Sequence, residues 1–187
     1  MSTAAKFDLA DTHSIATAGL SRQELEQKFE RLLAENGPAL SRLAASYTRT
    51  TGDRDDLLQE IATALWLGLP RFRGECSERT FLFRIAHNRA ISHLQRTRGP
   101  GAVAGEDLEI SDSRPDPESG LAQQQQQSRL LAAVQRLPVI YRETITLMLE
   151  GMSYGEIAEI LGIAESNVGA RLNRARQMLR DILEEKK

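Results

Sequence analysis

The 187 residues include one cysteine, Cys76, and three histidines. A lone thiol excludes an internal disulfide, and no Cys/His cluster at zinc spacing can be assembled around it. Cys76 therefore reads as an incidental loop or buried thiol. His87 and His93 lie six apart, off a common helical face, so no metal site is expected there. No uncharged apolar run approaches the roughly 20 residues of a membrane span. Residues 1–20 carry Asp8, Asp11 and His13 and have no apolar signal-like core, so they read as a disordered extension. Neither export nor membrane insertion is expected, and the reducing cytoplasm is the natural location. Sustained alternation of apolar and polar residues is also missing, which argues against strands. So are a nucleophile–base pair, a phosphate loop and a carboxylate pair, and the chain is read as a non-enzyme without a cofactor.

Net charge is nearly absent as well, at −2, an average that by itself argues against nucleic-acid binding. The distribution says otherwise. Arg71 to Arg98 holds seven arginines against Glu75 and Glu78, a balance of +5. Ser166 to Arg180 holds four arginines and no acid, whereas Asp53 to Glu60 is −3 and Gly99 to Ser128 is −5. Segregated blocks of this kind predict two basic surfaces and an acidic one, each with its own partner.

Apolar residues recur at three and four spacing outside one segment. Residues 99–120, with four Gly, three Pro and an acidic surplus, read as a flexible linker that spans about 70 Å when extended. The predicted fold is all-α: a helical domain over 21–98, the linker, and a second helical domain over 121–187. Ser21-Arg22-Gln23-Glu24 is a capping box that starts a helix ending near Asn36-Gly37, with Pro38 opening the next. Asp53 is expected to start a third helix running to about Gly68, and Ser77 to cap a fourth from Glu78 to Arg98. Gln123 to Arg136 is one more helix, and Pro138 begins another that stops before Gly151.

On the third helix Leu57, Leu58, Ile61, Leu65 and Trp66 form an apolar stripe, while Asp56, Gln59, Glu60 and Thr63 fall at i, i+3, i+4 and i+7 on the other side. Spacing alone describes either a docking face or the solvated side of an amphipathic helix. After it, Arg71-Phe72-Arg73-Gly74 places an aromatic between two arginines, and the next helix carries Phe81, Arg84, Asn88, Arg89 and Arg96. Arginines grip phosphate and aromatic rings hold unstacked bases, so the segment reads as a single-strand binding surface, with core packing of the phenylalanines as the alternative.

Ser153-Tyr154-Gly155-Glu156 is a second capping box. Counting from Tyr154, Ile157, Ala158, Leu161, Gly162, Ile163 and Val168 fill the fourth, fifth, eighth, ninth, tenth and fifteenth positions of a helix-turn-helix. Its second helix, Glu165 to about Leu183, buries Val168, Leu172, Met178, Leu179 and Leu183. Arg171, Arg174 and Arg176 are left for DNA.

These pieces in this order resemble the extracytoplasmic-function sigma factors of bacterial RNA polymerase, over roughly Leu25–Arg98 and Gln126–Glu184. Four motifs carry the resemblance: Asp56-Leu57-Leu58-Gln59-Glu60-Ile61 with Trp66; Leu69-Pro70-Arg71-Phe72-Arg73-Gly74; Ile85-Ala86-His87-Asn88-Arg89-Ala90; and Leu137-Pro138 followed by Gly151-Met152-Ser153-Tyr154-Gly155-Glu156-Ile157-Ala158. The resemblance implies that Asp56, Gln59 and Glu60 dock on the clamp helices of the largest polymerase subunit, with the flap as a further contact. It implies that Arg71, Phe72, Arg73, Gly74, Phe81, Arg84, Asn88, Arg89 and Arg96 capture and melt the minus ten promoter element. Asn167, Arg171, Asn173, Arg174 and Arg176 would bind the minus thirty-five element, and the linker would bridge about 17 base pairs, or about 58 Å. An anti-sigma factor and a Ser/Thr kinase are candidate regulators, the latter because Thr63 shares the docking stripe. Ala164 stands where the family usually has a helix cap, which implies a less well capped recognition helix. The competing reading is a stand-alone helix-turn-helix regulator with an N-terminal dimerisation domain. It leaves the acidic stripe and basic loop without a purpose.

Overall fold

The computed structural model describes residues 21–98 and 121–184. Residues 1–20 and 99–120, read above as an extension and a linker, lie outside the described residues. Seven helices and one 3-10 turn make up the described chain, with no strand among the described residues. The N-terminal unit comprises α1 (Arg22–Tyr47), α2 (Thr51–Gly68), the 3-10 turn Leu69–Arg71 and α3 (Glu78–Arg98). The C-terminal unit comprises α4 (Leu121–Arg136), α5 (Val139–Leu149), α6 (Tyr154–Leu161) and α7 (Glu165–Glu184).

Both capping boxes form. The Ser21 hydroxyl accepts from the Glu24 N–H at 3.2 Å and the Glu24 carboxylate accepts from the Ser21 N–H at 2.6 Å. The same pair closes at Ser153 and Glu156, at 3.3 and 2.9 Å. These bonds, led by the one from the Ser153 backbone, hold the Glu156 carboxyl below the usual carboxylate range. Ser77 caps α3 through the Thr80 N–H at 2.9 Å, as its hydroxyl predicts.

Three boundaries differ from the sequence-based expectation, the simplest being α4, which starts at Leu121 rather than Gln123. Asn36-Gly37-Pro38 does not divide two helices, because α1 runs through it as one helix of 26 residues. Leu32, Asn36, Ala39, Leu40, Leu43 and Tyr47 stay in phase across the proline and are all buried. Several buried apolar side chains at about 1.5–3 kcal/mol each outweigh the roughly 3 kcal/mol that a mid-helix proline costs. The start of α2 also moves, from Asp53 back to Thr51. The Thr50 hydroxyl accepts from the Asp53 N–H at 3.1 Å and so takes the capping position ahead of it.

Leu57, Ile61 and Leu65 of α2 are fully buried against α1 and α3, together with Leu82, Phe83, Ala86 and Ala90. In the C-terminal unit Leu137, Ile157, Val168, Leu172 and Ala175 close the core between α5, α6 and α7. Gly162 ends α6 at φ +65°, with its own N–H and that of Ile163 returning to the Ala158 carbonyl. Only a residue without a Cβ adopts this left-handed turn freely. Gly162→Ala should therefore destabilise the chain by about 1–2 kcal/mol, read by urea denaturation. Gly169→Ala in α7 should not, because its new methyl would meet only Tyr154 Cε2, at an ordinary 3.7 Å.

Candidate nucleic-acid interface and docking face

The outer side of α2 exposes Asp56, Gln59 and Thr63, opposite the buried Leu57, Ile61 and Leu65. Glu60 is half-buried, and its carboxylate receives Arg96 Nη2 at 2.5 and 2.7 Å, with His93 Nδ1 3.7 Å away. A shallow depression of about 590 Å³ runs along this side between Asp56, Gln59, Glu60, Thr63, Leu67 and Arg89. The face is thus not uniformly acidic. Arg89 lines its α3 edge, Arg96 neutralises Glu60, and Leu67, 64% exposed, forms its apolar end. Leu67 was not singled out in the sequence, although it continues the run 56, 60, 63 by one more turn. Trp66 belongs to the surface rather than the core: it is 37% exposed and meets Phe29 edge-on with ring centroids 5.4 Å apart.

Beyond the 3-10 turn the chain makes a cup of about 320 Å³ lined by Arg71, Phe72, Arg73, Glu75, Cys76, Phe81 and Arg84. Phe72 is half-buried rather than free: its ring stacks at a tilt on Phe81 with centroids 4.7 Å apart, and Lys28 Nζ stands 4.9 Å from its centre. Gly74 turns the loop at φ +74°, beyond the comfortable range of a side-chain-bearing residue. Arg71 and Arg73 are exposed on its rim. Arg84 reaches Cys76 Sγ at 3.8 Å and the Glu159 carboxylate of α6 at 3.4 Å. Burial, followed by the neighbouring Glu159, pushes the Cys76 thiol up, so the thiolate is disfavoured. Asn88 and Arg89 lie exposed further along α3. The cup combines cations with ring surface at a concavity, the arrangement that accepts an unstacked base beside its phosphate.

On α7 the buried stripe Val168, Leu172, Ala175 and Leu179 splits the candidate DNA residues into two flanks. At 100° per residue, Asn167, Arg171 and Arg174 line one flank, while Asn173 and Arg176 line the other. Asn167, Asn173, Arg174 and Arg176 are exposed. Arg171 is half-buried and paired at 2.8 Å with Glu143 of α5. Backbone bonds from the Asn167 and Val168 N–H groups to the Ala164 carbonyl, at 2.9 and 3.4 Å, start the helix where no side-chain cap is available.

The comparisons with known proteins follow the same division. Residues 32–99 match the family model for Sigma-70 region 2, and residues 127–179 match the model for Sigma-70, region 4. The RNA polymerase sigma factor CnrH of Cupriavidus metallidurans is 32% identical over 168 residues, covering 85% of this chain and 88% of that one. The chain belongs to the extracytoplasmic-function sigma factors. The sigma factor NccH of Alcaligenes xylosoxydans xylosoxydans is 31% identical over 90% of this chain and 94% of its own. The solved structure of CnrH in complex with the cytosolic domain of CnrY superimposes with a TM-score of 0.66 at 27% identity, over 87% of this chain and 91% of that one. A second sigma factor, RpoE in complex with the anti-sigma factor NepR from Bartonella quintana, shares the fold with a TM-score of 0.64 at 22% identity. The region 2 match of this sigma factor takes in the α2 face, the cup and α3, and the region 4 match takes in the whole helix-turn-helix. A stand-alone regulator is thereby disfavoured.

Proposed function

We propose that this sigma factor docks on the clamp helices of core RNA polymerase through Asp56, Gln59, Glu60 and the adjoining Leu67. The cup and α3 then hold and melt the minus ten element, and α7 reads the minus thirty-five element. The chain performs no catalysis of its own and acts in the cytoplasm; no helix among the described residues is long and apolar enough to cross a membrane. The observation that carries the reading is the combination, on one chain, of an exposed polar-to-apolar α2 face with an α7 surface that offers arginines and no acid from 166 to 180. Purified core polymerase should retain the chain in a pull-down, and absence of retention would overturn the reading. The flap is proposed as the region 4 contact, and an anti-sigma factor as a regulator, in line with the complexes formed by CnrH and RpoE.

Within α7, Asn173 and Arg174 are placed to read base edges, at about 1–3 kcal/mol of discrimination each. Arg176, on the same flank as Asn173 but nearer the buried stripe, is proposed for phosphate. Arg174→Ala should change sequence preference. Arg176→Ala should weaken all sites alike and lower the salt slope by about one unit. Equal losses for Arg174→Ala on specific and random DNA, measured by anisotropy across a salt series, would contradict the assignment.

Thr63 is exposed on the wall of the docking depression, so a kinase could reach it. A phosphate there would add up to two negative charges beside Asp56 and Glu60, which we propose strengthens docking. Thr63→Glu should then drive more transcription in cells than Thr63→Ala, and equal activity would remove the role.

A further inference from the structure

Two residues that the sigma-factor reading sends to different partners are joined to each other in this structure. Glu60 of α2 is assigned above to polymerase and Arg96 of α3 to the minus ten strand, yet Arg96 Nη2 donates to both Glu60 Oε1 and Oε2, at 2.5 and 2.7 Å. A guanidinium committed to a carboxylate is not free for a phosphate, and the carboxylate so neutralised attracts a partner's cation only weakly. Each residue masks the other. Arg89, seven residues earlier on the same face of α3, differs: it is exposed and has no ion-pair partner among the described residues.

The pair has the properties of one that exchanges. Its side chains are 54% and 35% exposed, and an ion pair in that much water contributes little to stability, so a competing phosphate or cation replaces either member readily. The core between α2 and α3 is closed separately, by the fully buried Leu57, Ile61, Leu65, Leu82, Phe83 and Ala86. Glu60 also keeps a second neighbour, because His93 Nδ1, buried and without a hydrogen-bond partner, stands 3.7 Å from Oε1. We propose that Glu60 and Arg96 form an exchange couple. A cation of core polymerase that takes Glu60 frees Arg96 for a phosphate of the minus ten strand, and a phosphate on Arg96 frees Glu60 for polymerase. Docking and strand capture then favour each other by the same factor, as linkage requires. This inference rests on the sigma-factor reading, but its DNA half is measured without polymerase.

Four variants of the full chain test it. Glu60→Gln keeps the shape of the side chain and releases Arg96; Arg96→Gln releases Glu60; the double variant removes both charges. Asp56→Asn takes a carboxylate from the same face without releasing any cation. Binding is read by anisotropy, first with a labelled random-sequence single-stranded oligonucleotide across a salt series, then with core polymerase in the absence of DNA. Glu60→Gln should bind the strand about fivefold tighter, with a salt slope steeper by about 0.7, the signature of one more phosphate contact on a single strand. The double variant should lose both gains, and Asp56→Asn should leave the slope unchanged. Arg96→Gln should bind core polymerase about fivefold tighter. A slope that does not steepen in Glu60→Gln, or that steepens equally in Asp56→Asn, would overturn the exchange. So would core binding by Arg96→Gln that is unchanged or weaker. A pair that only stitches α2 to α3 would instead lower the melting temperature of both single variants and raise neither affinity. The sigma-factor reading fails separately, by absence of binding between the unmutated chain and core polymerase.

Discussion

Asp56→Lys should abolish binding to core polymerase and leave the fold intact. Asp56 is exposed on α2 and has no ion-pair partner among the described residues, while the core contacts of that helix come from Leu57, Ile61 and Leu65 on its other side. A surface substitution of this kind changes stability by no more than about 0.5 kcal/mol. At a desolvated protein contact, a reversed charge costs several kcal/mol because like charges then face each other, and about 3 kcal/mol is already more than a hundredfold in affinity. Glu60→Lys, equally attractive from sequence, is the poorer probe. Sequence spacing presents Glu60 as free of structural contacts, but it holds Arg96 and approaches His93. Its reversal would therefore disturb the α2–α3 packing along with any docking. Anisotropy of the labelled chain titrated with core polymerase, alongside thermal melting, separates the two effects. Unmutated affinity for Asp56→Lys would remove the α2 face from the contact.

Arg142→Ala should have the largest effect on stability, a loss of about 3 kcal/mol or more. Only 3% of this residue is exposed. Its Nη2 donates to the carbonyl of Leu137 at 2.9 Å and to that of Gln135, its Nη1 reaches the Ser46 carbonyl of α1 at 3.5 Å, and its guanidinium lies 5.9 Å from the Tyr47 ring centre. The C-terminal end of α4 and one carbonyl of α1 thus depend on the same fork of donors. Truncation leaves those acceptors buried and unsatisfied and opens a void beside Tyr47, whose hydroxyl burial has already pushed up. Arg142→Lys keeps the charge without the fork and should fall between the two. Urea denaturation gives the measurement, and a change under about 0.5 kcal/mol would contradict the role.

Local chemistry was legible in the sequence wherever a few neighbouring residues settle the outcome. Both capping boxes, the Ser77 cap and the Gly162 turn depend on contacts within three to five residues, and each forms where the sequence places it. The buried side of α2 was legible too, because a period of 3.6 needs only one helix to declare itself. What failed needed the rest of the molecule. Asn36-Gly37-Pro38 carries the local signs of a break, and it is overridden by burial on both sides of the proline. Phe72 looks free between two arginines until Phe81, brought in by α3, covers one side of it. Trp66 fits the apolar stripe by spacing but falls at its margin, against Phe29 of α1. The pairs Glu60–Arg96, Arg42–Glu150 and Glu143–His87 join residues 36, 108 and 56 positions apart. Composition and periodicity carry no trace of such pairings. The charge blocks therefore say where along the chain charge gathers, but not which of those charges are engaged by other elements.

The central claim is that this chain directs core polymerase to promoters, and the most direct test is transcription reconstituted from purified core polymerase, the chain and fragmented genomic DNA. Mapping the 5′ ends of the RNA should reveal a set of start sites absent with core polymerase alone, preceded by two shared sequence elements about 17 base pairs apart and lost with Asp56→Lys. Start sites identical with and without the chain would contradict the account.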